Sequence, residues 1–156
     1  DAVVSTNIEQ SRELWRIRES IPEAAKINGS GIRHDVSVPV SEVATFLREG
    51  QRIVRHYLPN AYLIPFGHYG DGNIHYNMLK PPEMEIQDFR ALEHELRQDI
   101  YHLVTKLGGS FSAEHGIGQL KRQDLVRFRS DVELGIMHQI KAALDPKNIM
   151  NPGKVL

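Results

Sequence analysis

Cysteine is absent from the 156 residues. That excludes disulfides and thiolate metal sites, so any metal has to be held by His, Asp or Glu. Neither sign of charge is in excess: 19 Lys and Arg stand against 20 Asp and Glu, for a formal charge of −1. So balanced a chain offers no electrostatic reason to expect nucleic acid or an anionic membrane as partner. No apolar run approaches the roughly 20 residues of a membrane span, and no signal peptide opens the chain. The first residues, "DAVVSTNIEQ", lack a methionine, which predicts a fragment of a longer protein, cytoplasmic or, in a eukaryote, from the mitochondrial matrix. The glycine-rich stretches nowhere match G-x-G-x-x-G between a strand and a helix, so a dinucleotide loop is not indicated. What is present is 40% hydrophobic and 25% charged sequence, enough for the core of about one domain.

Helical spacing of Leu14, Ile17 and Ile21 predicts a helix over 8–21, with Pro22 discouraging its continuation. Val36 and Val38 alternate with polar neighbours and predict a strand, with Pro39 at its edge or exit. Ser41 is a good N-cap for a helix over 41–58, disturbed at Gly50. Two β-prone stretches, 61–68 and 73–79, flank a glycine turn. A long helix over 86–107 is predicted to stop at Gly108-Gly109. A short extended piece, 110–118, ends in a glycine loop. Helices follow over 119–128 and 130–144, the second capped by Ser130 and closed by Asp145-Pro146. The pattern predicts an α+β domain: an antiparallel sheet with helices on one face.

The chemistry concentrates in "FGHYGDGNIHYNML", residues 66–79. Strand alternation puts Ile74, Tyr76 and Met78 on one face and His75 and Asn77 on the other. A tight turn between the strands can bring His68 and His75 to one side of the sheet. A second polar cluster, Glu114 and His115, lies in "SFSAEHGIG". Two histidines and a carboxylate make a three-ligand site with an open position, the layout of a catalytic zinc, manganese or iron. The competing reading is a plain hairpin with structural histidines. His56, His94, His102 and His138 sit in helical patterns and take no role. His34 beside Asp35 reads as simply hydrogen-bonded.

"GHYGDGNIHYNML", "SAEHGIGQLKR" and "LDPKNIMNPGKVL", with "LWRIRESIPEAAK" and "RHDVSVPVSEV" before them, resemble the C-terminal domain of FAD-linked oxidases of the vanillyl-alcohol oxidase type. The branch is that of D-lactate dehydrogenase, the glycolate oxidase flavoprotein subunit and D-2-hydroxyglutarate dehydrogenase. The resemblance runs over essentially the whole chain, with its motifs in the expected order. It implies a ferredoxin-like cap domain that supplies the substrate site, 1–156, while an N-terminal domain that nothing here resembles binds FAD.

By the same resemblance, His68, His75 and Glu114 are metal ligands and His115 is the catalytic base. Asn77 lines the substrate site, Arg18 and Arg33 hold substrate carboxylate, and Asn151 in the tail contacts the cofactor. The implied reaction oxidises a D-2-hydroxy acid to the 2-oxo acid, with hydride passing to FAD and onward to an electron acceptor. One departure bears on substrate. Four residues after the position of Arg18 the hydroxyglutarate enzymes carry a threonine, and here Pro22 offers neither hydroxyl nor N–H. A lactate- or glycolate-like substrate is therefore as consistent as a dicarboxylate. Two alternatives from other classes stand beside this: a metal-dependent hydrolase using the same His/His/Glu set, and a non-catalytic metal- or partner-binding module.

Overall fold

A computed structural model describes residues 2–27, 29 and 31–156, the side chain of Lys26 excepted. Its elements alternate: α1 (Ile8–Ile27), β1 (Gly31–Ile32), β2 (Asp35–Ser37), α2 (Val43–Tyr57), β3 (Tyr62–His68), β4 (Asn73–Leu79), α3 (Ile86–Ala91), α4 (Glu93–Lys106), α5 (Arg122–Phe128) and α6 (Asp131–Leu144). The sheet is antiparallel and β4 is its centre. β3 pairs along one side of β4, and β1 and β2 pair along the other. The class is α+β, as expected.

β1 and β2 are one interrupted strand. Ile32 faces Met78 and Asp35 faces His75, so no residue is gained or lost between them. The interruption falls at His34. Tyr76 N–H donates to the His34 carbonyl at 3.0 Å, but the Tyr76 carbonyl is met by the imidazole Nδ1 of His34, at 2.9 Å. A side chain has replaced the backbone donor of the ladder. Beyond β2 the edge is extended by a bridge between Ser37 and Ser110.

The common register sorts side chains into two faces. Ile32, Val36, Ile74, Tyr76 and Met78 are buried among Phe46 and Val54 of α2 and Leu96, Ile100 and Val104 of α4. Arg33, Asp35, His68, Asn73, His75 and Asn77 fall on the opposite face. The hairpin joining β3 to β4 is pressed onto the next strand: Val38 N–H donates to the Gly72 carbonyl at 3.1 Å. Gly72 has φ +73°, and a Cβ there would stand 1.9 Å from the Val38 carbonyl oxygen, so only glycine serves.

Several local expectations are corrected. α1 does not stop at Pro22 but runs through it to Ile27. The lost N–H leaves one carbonyl unpaired, and most of α1 is open to solvent that can serve it. Ser41 is not a cap. Pro39 starts a 3-10 turn over Val40–Glu42, with Glu42 N–H bonded to the Pro39 carbonyl at 2.8 Å, and α2 begins only after it. Gly50 does not disturb α2. The long helix divides at Leu92 into α3 and α4, and α5 starts at Arg122 rather than 119. Ser130 does cap α6, in a reciprocal box with Glu133. No helix among the described residues is long and apolar enough to cross a membrane.

Of the apolar positions that predicted α1, Ile17 is 62% and Leu14 39% exposed, and Trp15 beside them is 57% exposed. Val132, Ile136, Ile140 and Leu144, one stripe of α6, are exposed as well.

Candidate functional site

Cross-strand pairing builds the site in rows. Asp35, His75 and Phe66 lie side by side across β2, β4 and β3, and His68 faces Asn73 in the next row. Asn77 pairs with Ile64 on β3 and, in the common register, flanks Arg33. The second polar segment reaches this face from 79 and 80 residues away. Asp35 Oδ2 accepts the backbone N–H of Glu114 at 3.0 Å and of His115 at 2.9 Å. The Asp35 carbonyl accepts Ala113 N–H at 3.2 Å.

Glu114 is thereby set between the two histidines of the hairpin. Its carboxylate oxygens lie 3.6 Å from His75 Nε2 and 3.8 Å from His68 Nδ1. Asn73 Nδ2 donates to Glu114 Oε1. Ligand atoms around one tetrahedral ion with bonds of about 2 Å stand roughly 3.3 Å apart; Glu114 comes near that distance to each histidine, but the three side chains do not bring their ligand atoms within 4.8 Å of one another as the next grouping does. The side chains of His68 and Glu114 are about half exposed.

A second grouping shares His75. Asp35, His75 and His115 offer ligand atoms within 4.8 Å of one another, with His75 Nδ1 3.9 Å and His115 Nδ1 3.6 Å from the Asp35 carboxylate. The Asp35 carboxylate is already committed to two backbone N–H groups. Burial pushes its pKa up, but those two hydrogen bonds, together with the nearby charges of His115 and Lys121, more than reverse this and hold the carboxyl below its usual range. It is an ionised acceptor buried beneath the two imidazoles, whose rings are stacked with centroids 5.9 Å apart.

A cavity of ≈ 310 Å³ opens beside these groups. His75, His115 and Asp35 form one part of its wall. Arg33, Asn77 and Lys121 add polar groups, and Phe66, Pro22 and Ala25 an apolar side. Arg18 is not in the wall, but its guanidinium lies 4.9 Å above the ring of Phe66, which is. Lys121 donates to the Phe111 carbonyl and, at 3.0 Å, to Ser112 Oγ, and burial lowers its ammonium pKa. His34 also lines the cavity. Burial takes its pKa down to about 4, and its Nε2 has no hydrogen-bond partner among the described residues.

The structure thus brings together His68, His75, Glu114, His115, Asn77 and Arg33, with Arg18 one ring away. Asn151 stands apart, in the tail, where it lines a separate groove with Met137, Ile140 and Leu144. Three residues of the site escaped the sequence reading: Asp35, Asn73 and Lys121. Asp35 was visible only as the neighbour of His34, and the groups that give it a role are distant in the chain. Asn73 lay inside the quoted hairpin motif, at the start of its second strand, and was given no role.

Residues 1–155 match the family described as FAD linked oxidases, C-terminal domain. The chain is 40% identical, over 99% of its length, to the D-2-hydroxyglutarate dehydrogenase of Stutzerimonas stutzeri (strain A1501), covering 33% of that protein. It is 36% identical over its whole length to the mitochondrial D-2-hydroxyglutarate dehydrogenase of Arabidopsis thaliana, covering 26% of it. It is 33% identical to the D-lactate dehydrogenase of Archaeoglobus fulgidus, again over its whole length and covering 33% of that protein. The chain therefore spans about a third or less of these relatives. Neither a hydrolase nor a non-catalytic module is favoured by such a company. On the family match over residues 1–155, the chain belongs to the C-terminal domains of FAD-linked oxidases.

Proposed function

We propose that this domain is the substrate-binding cap of a flavin-dependent dehydrogenase that oxidises a D-2-hydroxy acid of the lactate, glycolate or 2-hydroxyglutarate type to its 2-oxo acid. The observation that carries the reading is the convergence of His68, His75, Glu114 and His115 on the sheet face opposite the core, in a chain of this family.

The residues divide the task by their chemistry. Arg33 on the cavity wall, with Arg18 beside it, suits the substrate carboxylate, because a guanidinium binds it through two parallel hydrogen bonds. Asn77 orients the hydroxyl end. The carboxylate of Glu114 and the imidazoles of His68 and His75 are the residues to hold a zinc, manganese or iron ion. When bound, such an ion lowers the pKa of a hydroxyl beside it, and a flavin supplies the hydride acceptor. His115 accepts the hydroxyl proton through the ring nitrogen turned away from Asp35. As that proton leaves, the electron pair of the O–H bond would become the second bond of the C=O group, and the C2 hydrogen would depart with its own bonding pair as a hydride that a flavin can accept, leaving the 2-oxo acid. The electrons then pass to a further acceptor.

The exposed stripes of α1 and α6 support a partner domain of the same polypeptide, since apolar surface of this extent ordinarily marks an interface. Asn151 follows α6 and is a candidate contact to the cofactor held there. A compartment without a membrane anchor in this domain, cytoplasm or mitochondrial matrix, suits the reading. Pro22 lines the cavity with neither hydroxyl nor N–H, so the preference for D-2-hydroxyglutarate over D-lactate should stay under a hundredfold, about 2.7 kcal/mol.

The test is rapid-mixing flavin reduction in the full-length protein. D-2-hydroxy acids should bleach the flavin, and His115→Asn should slow bleaching by roughly 10²–10⁴ with little change in KM. Bleaching at the parental rate in that variant would remove His115 from its role.

A further inference from the structure

We propose that the site is built for D-2-hydroxy acids whose chain beyond C2 is a short alkyl group, and that Phe66, Pro22 and Ala25 form the subsite that receives it. The proposal rests on the function proposed above for the reaction at C2 and narrows the acids it serves.

The cavity is divided across the sheet. Arg33 lies on the β1–β2 side of β4. Lys121, the other cation of the wall, is on that side too. Its ammonium is tied to the Phe111 carbonyl and to Ser112 Oγ, in the segment that extends the β2 edge through the Ser37–Ser110 bridge. His75 and Asn77 occupy the middle, on β4. Phe66 stands on the far side, on β3, paired with His75, and Pro22 and Ala25 of α1 complete that part of the wall. None of these three carries a polar group on its side chain. The guanidinium of Arg18, 4.9 Å over the Phe66 ring, is engaged there and is not part of the wall. Among the described residues no cationic side chain lines the β3 end, so a second carboxylate finds no partner in it and a hydrocarbon chain finds apolar contact. Phe66 is two strands from Arg33, roughly 10 Å, and one row of side chains along, roughly 7 Å. An acid held at Arg33 with its C2 over β4 therefore reaches toward Phe66 as its chain lengthens. Glycolate and lactate are too short to fill a cavity of ≈ 310 Å³, the space of about ten water molecules. Each added methylene exchanges water for this apolar wall, which favours the longer acid about fourfold.

The experiment follows two homologous series in the full-length protein. With an artificial electron acceptor, kcat/KM should rise about fourfold per methylene from D-lactate to D-2-hydroxybutyrate to D-2-hydroxyvalerate. Propanoate, butanoate and pentanoate have no C2 hydroxyl to oxidise, and in calorimetry they should bind the oxidised enzyme with the same gradient. D-2-hydroxyglutarate ends in a carboxylate where D-2-hydroxyvalerate ends in a methyl group, and should have the lower kcat/KM of the two. Ala25→Ser and Phe66→Asn each put a polar group into the wall and should lower both gradients to about twofold or less. A flat or falling gradient in either series overturns the proposal. So does a higher kcat/KM for D-2-hydroxyglutarate, which would mean that Arg18 leaves Phe66 to take the second carboxylate. Gradients unchanged in both variants overturn it as well, and if one variant fails to fold the other decides. The expected alkanoate gradient in a protein that oxidises no 2-hydroxy acid would refute the proposed function and leave the alkyl subsite standing.

Discussion

The two faces of β4 follow different rules although their residues alternate along one strand. Ile74, Tyr76 and Met78 are buried against α2 and α4 and are held by contact area alone. Asn73, His75 and Asn77 face the other way, toward groups drawn from remote parts of the chain. The first face can tolerate a swap of one hydrocarbon for another of like volume. The second cannot tolerate a swap of one polar atom, because its order comes from a few directed contacts to Asp35 and Glu114. Stability and chemistry are thus separated across one strand, and substitutions should separate them too.

Met78→Ala and His75→Ala are the largest test of that separation. Met78 is fully buried, so its truncation should cost about 2–5 kcal/mol while the retained protein still takes up metal. His75 is partly exposed and packs on Phe66 with ring centroids 5.0 Å apart. Its loss should cost about 1 kcal/mol or less yet abolish stoichiometric metal uptake. Urea denaturation and elemental analysis read the two quantities. Similar destabilisation by both variants would dissolve the contrast.

His34 crosses the boundary and sharpens it. The register assigns it to the apolar face, beside Tyr76 and Tyr101, and its folded pKa is about 4 against an ordinary 6.5 because burial disfavours the imidazolium. A depressed folded pKa means that the neutral form is the one the fold accepts. Its contribution is complete above pH 6.5 and is lost as pH falls toward 4, amounting to roughly 3 kcal/mol. Denaturation midpoints at pH 7 and pH 4.5 should therefore draw closer together in His34→Gln. An identical gap in the variant would mean that His34 does not protonate on unfolding.

What the sequence disclosed follows from the same contrast. Period-two alternation in 73–79 separated the faces of β4 correctly, and the Ser130 cap was legible because its partner is three residues away. The placing of His68 and His75 on one face of the sheet was legible through the hairpin between them. The arrival of Glu114 beside the histidines rested on its residue type and on a motif resemblance, because no local pattern encodes it. Asp35 had no local signal at all: its partners lie in a loop that only the folded sheet edge brings near. The apolar stripes of α1 and α6 showed the opposite failure. Their helical periodicity reads as core, but periodicity reports that a face will be covered and not what covers it.

The smallest effect probes the apolar face alone. Gly50 lies inside α2, where alanine is favoured over glycine by about 1 kcal/mol. Yet a Cβ at Gly50 would stand 3.1 Å from both Cζ and the hydroxyl oxygen of Tyr76. Tyr76 cannot yield freely, since its ring is buried and packs edge-on against Phe46 at 5.1 Å. Crowding of this kind costs about 1–3 kcal/mol, so Gly50→Ala should be destabilising by about 1 kcal/mol net. The Tyr76 hydroxyl has no hydrogen-bond partner among the described residues, and Tyr76→Phe should be close to neutral because it removes a buried group that bonds to nothing. It also removes one of the two crowding atoms. In the Tyr76→Phe background Gly50→Ala should therefore become neutral or stabilising, a coupling of about 1 kcal/mol in a double-mutant cycle. Equal effects of Gly50→Ala in both backgrounds would show that Tyr76 is not what excludes a side chain there. Metal uptake should be unchanged in all three variants, since none touches the polar face.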